Sequence, residues 1–149
     1  MIPAELVERL LADKSRCGLY RIAPGWGIAG EGPAQRWTTL APLPRIDRKS
    51  LLAALGSTLG FPDYYGQNWD AAWDCLSELS WPAEQLLLVH LPIPADCTVV
   101  ESDLEVFLEL MSDACQHWSE HGQALCLLVE SAQPDLPALR AINWLDQPG

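Results

Sequence analysis

Positive charge is what this sequence lacks most. Residues 50–139 contain no lysine or arginine but fourteen aspartates and glutamates, whereas residues 1–49 carry eight basic residues against five acidic ones. The net formal charge of the chain is −11. Because proteins that bind DNA or RNA neutralise phosphates with lysine and arginine, this composition argues against direct nucleic-acid binding. It suits either simple solubility or a surface that attracts a basic partner.

Long apolar runs and a basic leader are also missing. No apolar stretch reaches the roughly 18 residues of a membrane-spanning helix. The N-terminal stretch MIPAELVERLLADK carries Glu5 and Glu8 where a secretory signal would be basic. The five cysteines are odd in number and scattered, which favours free thiols in a reducing compartment over a disulfide framework. We therefore expect a cytoplasmic protein that does not enter a membrane.

The sequence also has few features of an enzyme or a cofactor site. It contains neither a G-x-S-x-G motif nor a P-loop lysine. His117 and His121 have the i, i+4 spacing of zinc ligands, but Trp118 stands where the H-E-x-x-H motif requires glutamate. We expect no metal, no cofactor and no enzymatic activity. A hydrolase built on the carboxylates of Asp70 and Asp74 remains an alternative.

The spacing of the apolar residues predicts a small α/β domain. Two continuous apolar runs, at 85–91 and 124–130, are typical of strands buried on both faces. Strands are predicted at 17–23, 36–42, 85–91 and 124–130, and helices at 3–14, after Asp47 or Ser50, over about 67–79, and from a Ser102–Glu105 capping box to Gly122. Because strands alternate with helices, we expect three or four mostly parallel strands packed by helices.

The stretch FPDYYGQNWDAAWDCL, residues 61–76, combines aromatic and acidic residues without any cation. On a helical wheel the apolar side chains share one face and the acidic ones the opposite face, with Trp73 at the border. The apolar face holds Trp69, Ala72, Leu76 and Leu79, and the acidic face holds Asp70, Asp74, Ser77 and Glu78. Like charges four residues apart repel each other. A basic partner would turn this repulsion into attraction, and an exposed ring would anchor the contact.

This same stretch resembles the signature of the barstar family, intracellular inhibitors of a secreted bacterial ribonuclease. In that family an L/F-P-x-Y-Y/F-G-x-N turn leads into a helix reading x-D-A-L-x-D. The similarity covers roughly residues 37–130 and implies a three-stranded parallel sheet packed by helices. We expect one domain over 1–149, with an N-terminal extension at 1–36, a barstar-like core at 37–130 and a tail at 131–149. The extension resembles that of longer bacterial members.

The resemblance also implies a partner-binding surface. Its residues would be Tyr64, Gly66, Asn68, Asp70, Trp73 and Asp74. Asp74 would dominate by entering the ribonuclease active site and meeting the arginines and the histidine that otherwise hold the substrate phosphate. Asp70 would pair with a further cation. A fourth acidic contact falls on Glu109 or on His117, depending on how the long helix is aligned, and Glu109 is favoured.

Two departures from the family pattern bear on this surface. Trp69 and Ala72 stand where the family has leucine, which alters the packing beneath the acidic face. The extension could cover or enlarge the surface. The resemblance therefore implies an inhibitor that occludes a basic ribonuclease with carboxylates in place of RNA phosphates. The alternative is a regulatory module that binds another basic protein or toxin.

Overall fold

The computed structural model describes residues 4–24, 34–40, 43–62, 65–133 and 135–145. The strands are β1 Leu19–Ile22, β2 Gln35–Thr39, β3 Arg45–Ile46, β4 Leu86–Ile93, β5 Thr98–Val99 and β6 Ala124–Ser131. The helices are α1 Ala4–Ala12, α2 Arg48–Leu59, α3 Trp69–Leu76 and α4 Glu101–Glu120. Residue 3, residues 41–42 and Tyr64, which the sequence-based predictions include, lie outside the described residues.

The main sheet has four parallel strands in the order β1–β6–β4–β2. The two apolar runs form its central strands, β4 and β6, which are buried along almost their whole length. The short strands β3 and β5 pair in a second, two-stranded parallel sheet. The predicted α/β class with a parallel sheet is confirmed, and the N-terminal strand raises the number of strands in the main sheet to four.

The two faces of the main sheet belong to two separate hydrophobic cores. Side chains along a strand alternate between faces, and the leucine-rich central strands therefore supply both. On one face Leu87, Val89 and Leu91 pack with α2, α3 and α4. On the other, Leu86 and Leu88 pack with α1. Helix α1 therefore covers the sheet face opposite α3, and Asp70 and Asp74 of α3 stay exposed among the residues that the structure describes.

The C-terminal tail, which the sequence did not place, closes one edge of the main sheet. The N–H of Arg21 in β1 donates to the carbonyl of Asn143 at 2.9 Å, and the N–H of Leu145 donates to the carbonyl of Arg21 at 2.9 Å. Leu145 is buried in the same core as α1. The backbone groups on the outer side of Arg21 are thereby satisfied, which removes part of an open sheet edge.

Two helix starts test the capping predictions differently. Asp47 caps α2 through its side chain, which accepts from the N–H of Ser50, while the Ser50 hydroxyl accepts from the N–H of Asp47. The predicted Ser102–Glu105 capping box is wrong. Helix α4 begins at Glu101, with Val100 as its N-cap and without a side-chain cap. The N–H of Val100 donates to the carbonyl of Ile46 at 2.8 Å, so the β3–β5 pairing sets the start of α4.

All five cysteines, each within the described part of the chain, are free, as the sequence predicted, and all five are buried. Burial raises the pKa of the Cys115 thiol, because the thiolate would lose its hydration in the core. None of the helices in the described ranges combines the length and the apolar character needed to span a bilayer.

Candidate protein-binding surface

The turn that leads into α3 is held by Tyr65. Its ring packs against Gly56 of α2, where an added Cβ would lie only 2.9 Å from the ring carbons. The hydroxyl of Tyr65 donates to the carbonyl of Leu52 at 3.2 Å, and Phe61 meets the ring edge-on at a centroid distance of 5.0 Å. Tyr65, the second tyrosine of the motif, therefore packs beneath the turn and holds the chain against α2 just before α3 begins.

This packing predicts an alkaline pH dependence of stability. Burial raises the pKa of the Tyr65 hydroxyl to about 12. A raised folded-state pKa contributes stability that is complete below the pKa of the unfolded chain, about 10, and that is lost as the pH rises through the folded value. We expect urea-unfolding curves to show the free energy of unfolding falling between these values. The free energy of unfolding of the Tyr65→Phe variant should fall less steeply with pH than that of the wild-type protein. Equal slopes for the two proteins would show that Tyr65 is not the titrating group.

Two of the predicted contact residues also build the start of α3. The side chain of Asn68 accepts from the N–H of Ala71 at 2.8 Å and caps the helix. A Cβ at Gly66 would lie 3.2 Å from the Asn68 amide, so a larger residue there would press on the cap. Gln67 has a φ of +48°, in the left-handed region that non-glycine residues seldom adopt. Helix α3 therefore begins at Trp69, two residues later than predicted.

The acidic side of α3 faces solvent, as the helical wheel predicted. Asp70 and Asp74 are exposed, and Ala72 and Leu76 are buried on the opposite side. Neither aspartate forms an ion pair with another residue in the described ranges. Asp70 lies in the first helical turn, where the helix dipole favours a negative charge. The two carboxylates are free to meet cations of another molecule.

Aromatic side chains of α3 and α4 border this acidic side. Trp73 is half-buried and meets the His117 ring edge-on, with the centroids 5.6 Å apart. The indole N–H of Trp118 donates to the carbonyl of Leu76 at 2.9 Å and so supports the last turn of α3. Trp69, on the apolar side, is half-buried against the core. The supporting role of Trp118 was missed, because the sequence showed only an apolar position in a helical stripe.

The remaining predicted contacts fall in different places. Tyr64 lies outside the described residues. Glu109 is exposed and lines a cleft with Leu19 of β1 and Ile142 of the tail. His117, the other alignment choice, is the one that touches α3. Asp70, Asp74 and Trp73 therefore share α3, with His117 against Trp73, whereas Glu109 lines the cleft beside β1 and the tail. The binding roles of these residues stay predictions.

The acidic side of α3 lies on the open surface of the protein. Neither Asp70 nor Asp74 lines any of four surface clefts of about 220–440 Å³ that the described residues form. The hydrolase alternative requires an enclosed carboxylate with a raised pKa, whereas both aspartates lie on an exposed helix face. The rings of His117 and His121 are 4.4 Å apart. No group of three or more potential metal ligands occurs within the described ranges.

Comparisons with known proteins point to one family. The model of the family described as "Barstar (barnase inhibitor)" matches residues 45–130, which is more than half of the chain. A protein of Bacillus subtilis (strain 168), named "Putative ribonuclease inhibitor YrdF", is 40% identical over 60 residues. That alignment covers 40% of this chain and 64% of the Bacillus protein, so the chain spans less than two thirds of that relative. The match of the family model includes α3 and β4 to β6, but not α1, β1, β2 or the tail.

Proposed function

The chain belongs to the barstar family, and we propose that it inhibits a basic ribonuclease by covering the enzyme's active site with α3. The observation that carries this proposal is the exposed pair Asp70 and Asp74, without ion-pair partners among the described residues and with Trp73 alongside. Carboxylates so presented can bind the cations that otherwise hold RNA phosphates. The inhibitor has no chemical step of its own.

The energetics of such an interface depend on where each charge lies. A carboxylate that is desolvated at the centre must be matched by cations of the partner, while a rim charge is screened and contributes little. Asp74, in the second of the two turns of α3, is proposed as the central group, and Asp70 as its neighbour one turn earlier. Trp73 contributes apolar area at low entropic cost because its ring already packs on His117.

The proposed site of action is the cytoplasm. Five free, buried thiols are compatible with a reducing compartment and offer no disulfide framework of the kind that secreted small domains use. An inhibitor held there would protect cellular RNA from a ribonuclease made in the same cell.

The test is capture and inhibition of ribonuclease activity. Protein extracts of the source organism are passed over immobilised wild-type protein and over an Asp70→Asn/Asp74→Asn control, and the eluates are assayed for RNA cleavage. We expect a ribonuclease on the wild-type column only, and we expect added soluble wild-type protein to abolish its activity. Equal retention on both columns, or capture of a basic protein without ribonuclease activity, would overturn the proposal. The second result would favour the regulatory alternative.

Salt dependence provides a second test of the same proposal. Residues 50–139 hold fourteen acidic and no basic residues, so a basic partner should be attracted at long range. Screening limits that attraction to about 10 Å at 0.1 M ionic strength. We expect stopped-flow association with the captured ribonuclease to slow by roughly 10-fold or more between 10 mM and 500 mM NaCl. The dissociation rate should change much less, and a salt-independent association rate would contradict electrostatic steering.

A further inference from the structure

A second surface lies on the sheet face opposite α3, where the N-terminal extension meets the tail. It is a cleft of about 220 Å³ between α1, the turn that follows it, β1 and residues 144–145. Its lining consists of Leu6, Arg9, Leu10, Arg16, Tyr20, Trp144 and Leu145. Every one of these residues lies outside the range matched by the family model, residues 45–130. The cleft is thus built entirely from residues outside the matched family core.

The cleft gathers positive charge in a chain that is otherwise acidic. Arg9 and Arg16 are exposed, and neither forms an ion pair with any residue that the structure describes. Arg21 adds a third guanidinium, whose central carbon lies 4.4 Å from the centre of the Trp144 ring. The acids nearest in sequence to the lining are Glu5, Glu8, Asp13 and Asp146. Asp146 lies outside the described residues, and Asp13 accepts a hydrogen bond from Ser15 at 2.5 Å.

The walls of the cleft also offer aromatic surface. Trp144 is 39% exposed, one of two exposed large apolar side chains in the described ranges. Tyr20 stands beside it in the lining, and its hydroxyl donates to the carbonyl of Arg16, which ties the arginine-bearing turn to β1. The exposed part of the Trp144 ring offers a surface on which a planar ring can stack.

From this combination we propose that the cleft binds a nucleoside monophosphate, with the base against Trp144 and the phosphate between Arg9 and Arg16. Two guanidinium groups without ion-pair partners in the described part of the chain match a phosphate of about −1.5 to −2 charge better than a single carboxylate. A longer nucleic acid is disfavoured, because phosphates that extend beyond the cleft would meet a chain of net charge −11. This site is independent of the ribonuclease-binding proposal and lies on the other sheet face from α3.

The experiment is a titration of the full chain with uridine 5′-monophosphate and adenosine 5′-monophosphate, followed by ¹H–¹⁵N NMR and calorimetry. We expect saturable shifts confined to α1, the turn that carries Arg16, β1 and residues 144–145, including the Trp144 indole N–H. Arg9→Gln/Arg16→Gln should weaken binding by roughly 10-fold or more, because charge-assisted hydrogen bonds to phosphate are lost. Trp144→Leu should weaken it while the circular dichroism spectrum is kept.

The matched control is Arg48→Gln/Lys49→Gln, which removes the same charge from exposed positions at the start of α2. It should bind either nucleotide as the wild-type protein does. Equal losses of nucleotide affinity in the two double variants would show that binding depends only on the net charge of the protein, and would overturn the proposal. Identical shifts with inorganic phosphate alone would show that the base does not bind Trp144. Preferential binding of N-acetyltryptophan would show that the ligand of the cleft is an aromatic carboxylate and not a nucleotide. Either result overturns the assignment, whatever the outcome of the ribonuclease experiments.

Discussion

Asp74→Ala is expected to weaken ribonuclease binding by about 2–5 kcal/mol, the range typical of truncating one partner of a buried charge pair, for which the barnase–barstar complex is itself the reference case. The physical reason is that the cations of the enzyme would stay buried in the interface without their partner. Asp74 is exposed and has no ion-pair partner in the described ranges, so its removal should cost the free inhibitor little stability. Calorimetric titration of the captured ribonuclease measures the loss.

Glu78→Ala is the control for Asp74→Ala. Glu78 is exposed and lies two residues beyond the end of α3. Its replacement by alanine removes one negative charge, as Asp74→Ala does. Because a rim charge is screened by water and salt, we expect its replacement to cost about 0.2–1 kcal/mol. Equal losses at the two positions would show that the partner responds to total charge and not to a central carboxylate.

Leu10→Ala is expected to lower the free energy of unfolding by about 2–5 kcal/mol, the cost of a large-to-small change in a packed core. Leu10 is 3% exposed in the second core, where α1 covers Leu88 and Leu128 of the central strands. Losing most of its side chain would open a cavity over the sheet. Urea unfolding followed by circular dichroism measures the change.

Leu11→Ala serves as the matched control for Leu10→Ala. Leu11 is only half-buried in the same helix, so its truncation should cost clearly less. Folded Leu10→Ala should also keep the wild-type affinity for the ribonuclease within about twofold, because distant, independent sites add with little coupling. Because α1 lies on the sheet face opposite α3, it cannot touch a partner bound to α3. A large loss of affinity would therefore contradict the placement of the binding surface on α3.

The sheet and its helices could be predicted from the sequence because burial produces a regular pattern of apolar residues along the chain. The runs 85–91 and 124–130 are apolar at nearly every position, since β4 and β6 are covered on both faces. The acidic side of α3 was equally readable, because its helical spacing separates Asp70 and Asp74 from Ala72 and Leu76.

Other features of the fold produce no such pattern in the sequence. An apolar stripe shows that α1 buries one side, but not which face of the sheet receives it. The tail joins β1 through a few backbone hydrogen bonds around Arg21, and such bonds do not depend on side-chain identity. The choice between Glu109 and His117 depended on the start and length of α4, and that start is set by the contact of Val100 with Ile46.

The most direct test of the central claim is the kinetic mode of inhibition. If α3 places Asp70 and Asp74 where RNA phosphates bind, inhibitor and RNA must exclude each other. Initial rates of RNA cleavage by the captured ribonuclease, measured over a range of RNA and inhibitor concentrations, should then show KM rising with inhibitor while kcat stays constant. A falling kcat at unchanged KM would mean that RNA still occupies the active site in the complex, and it would contradict this account.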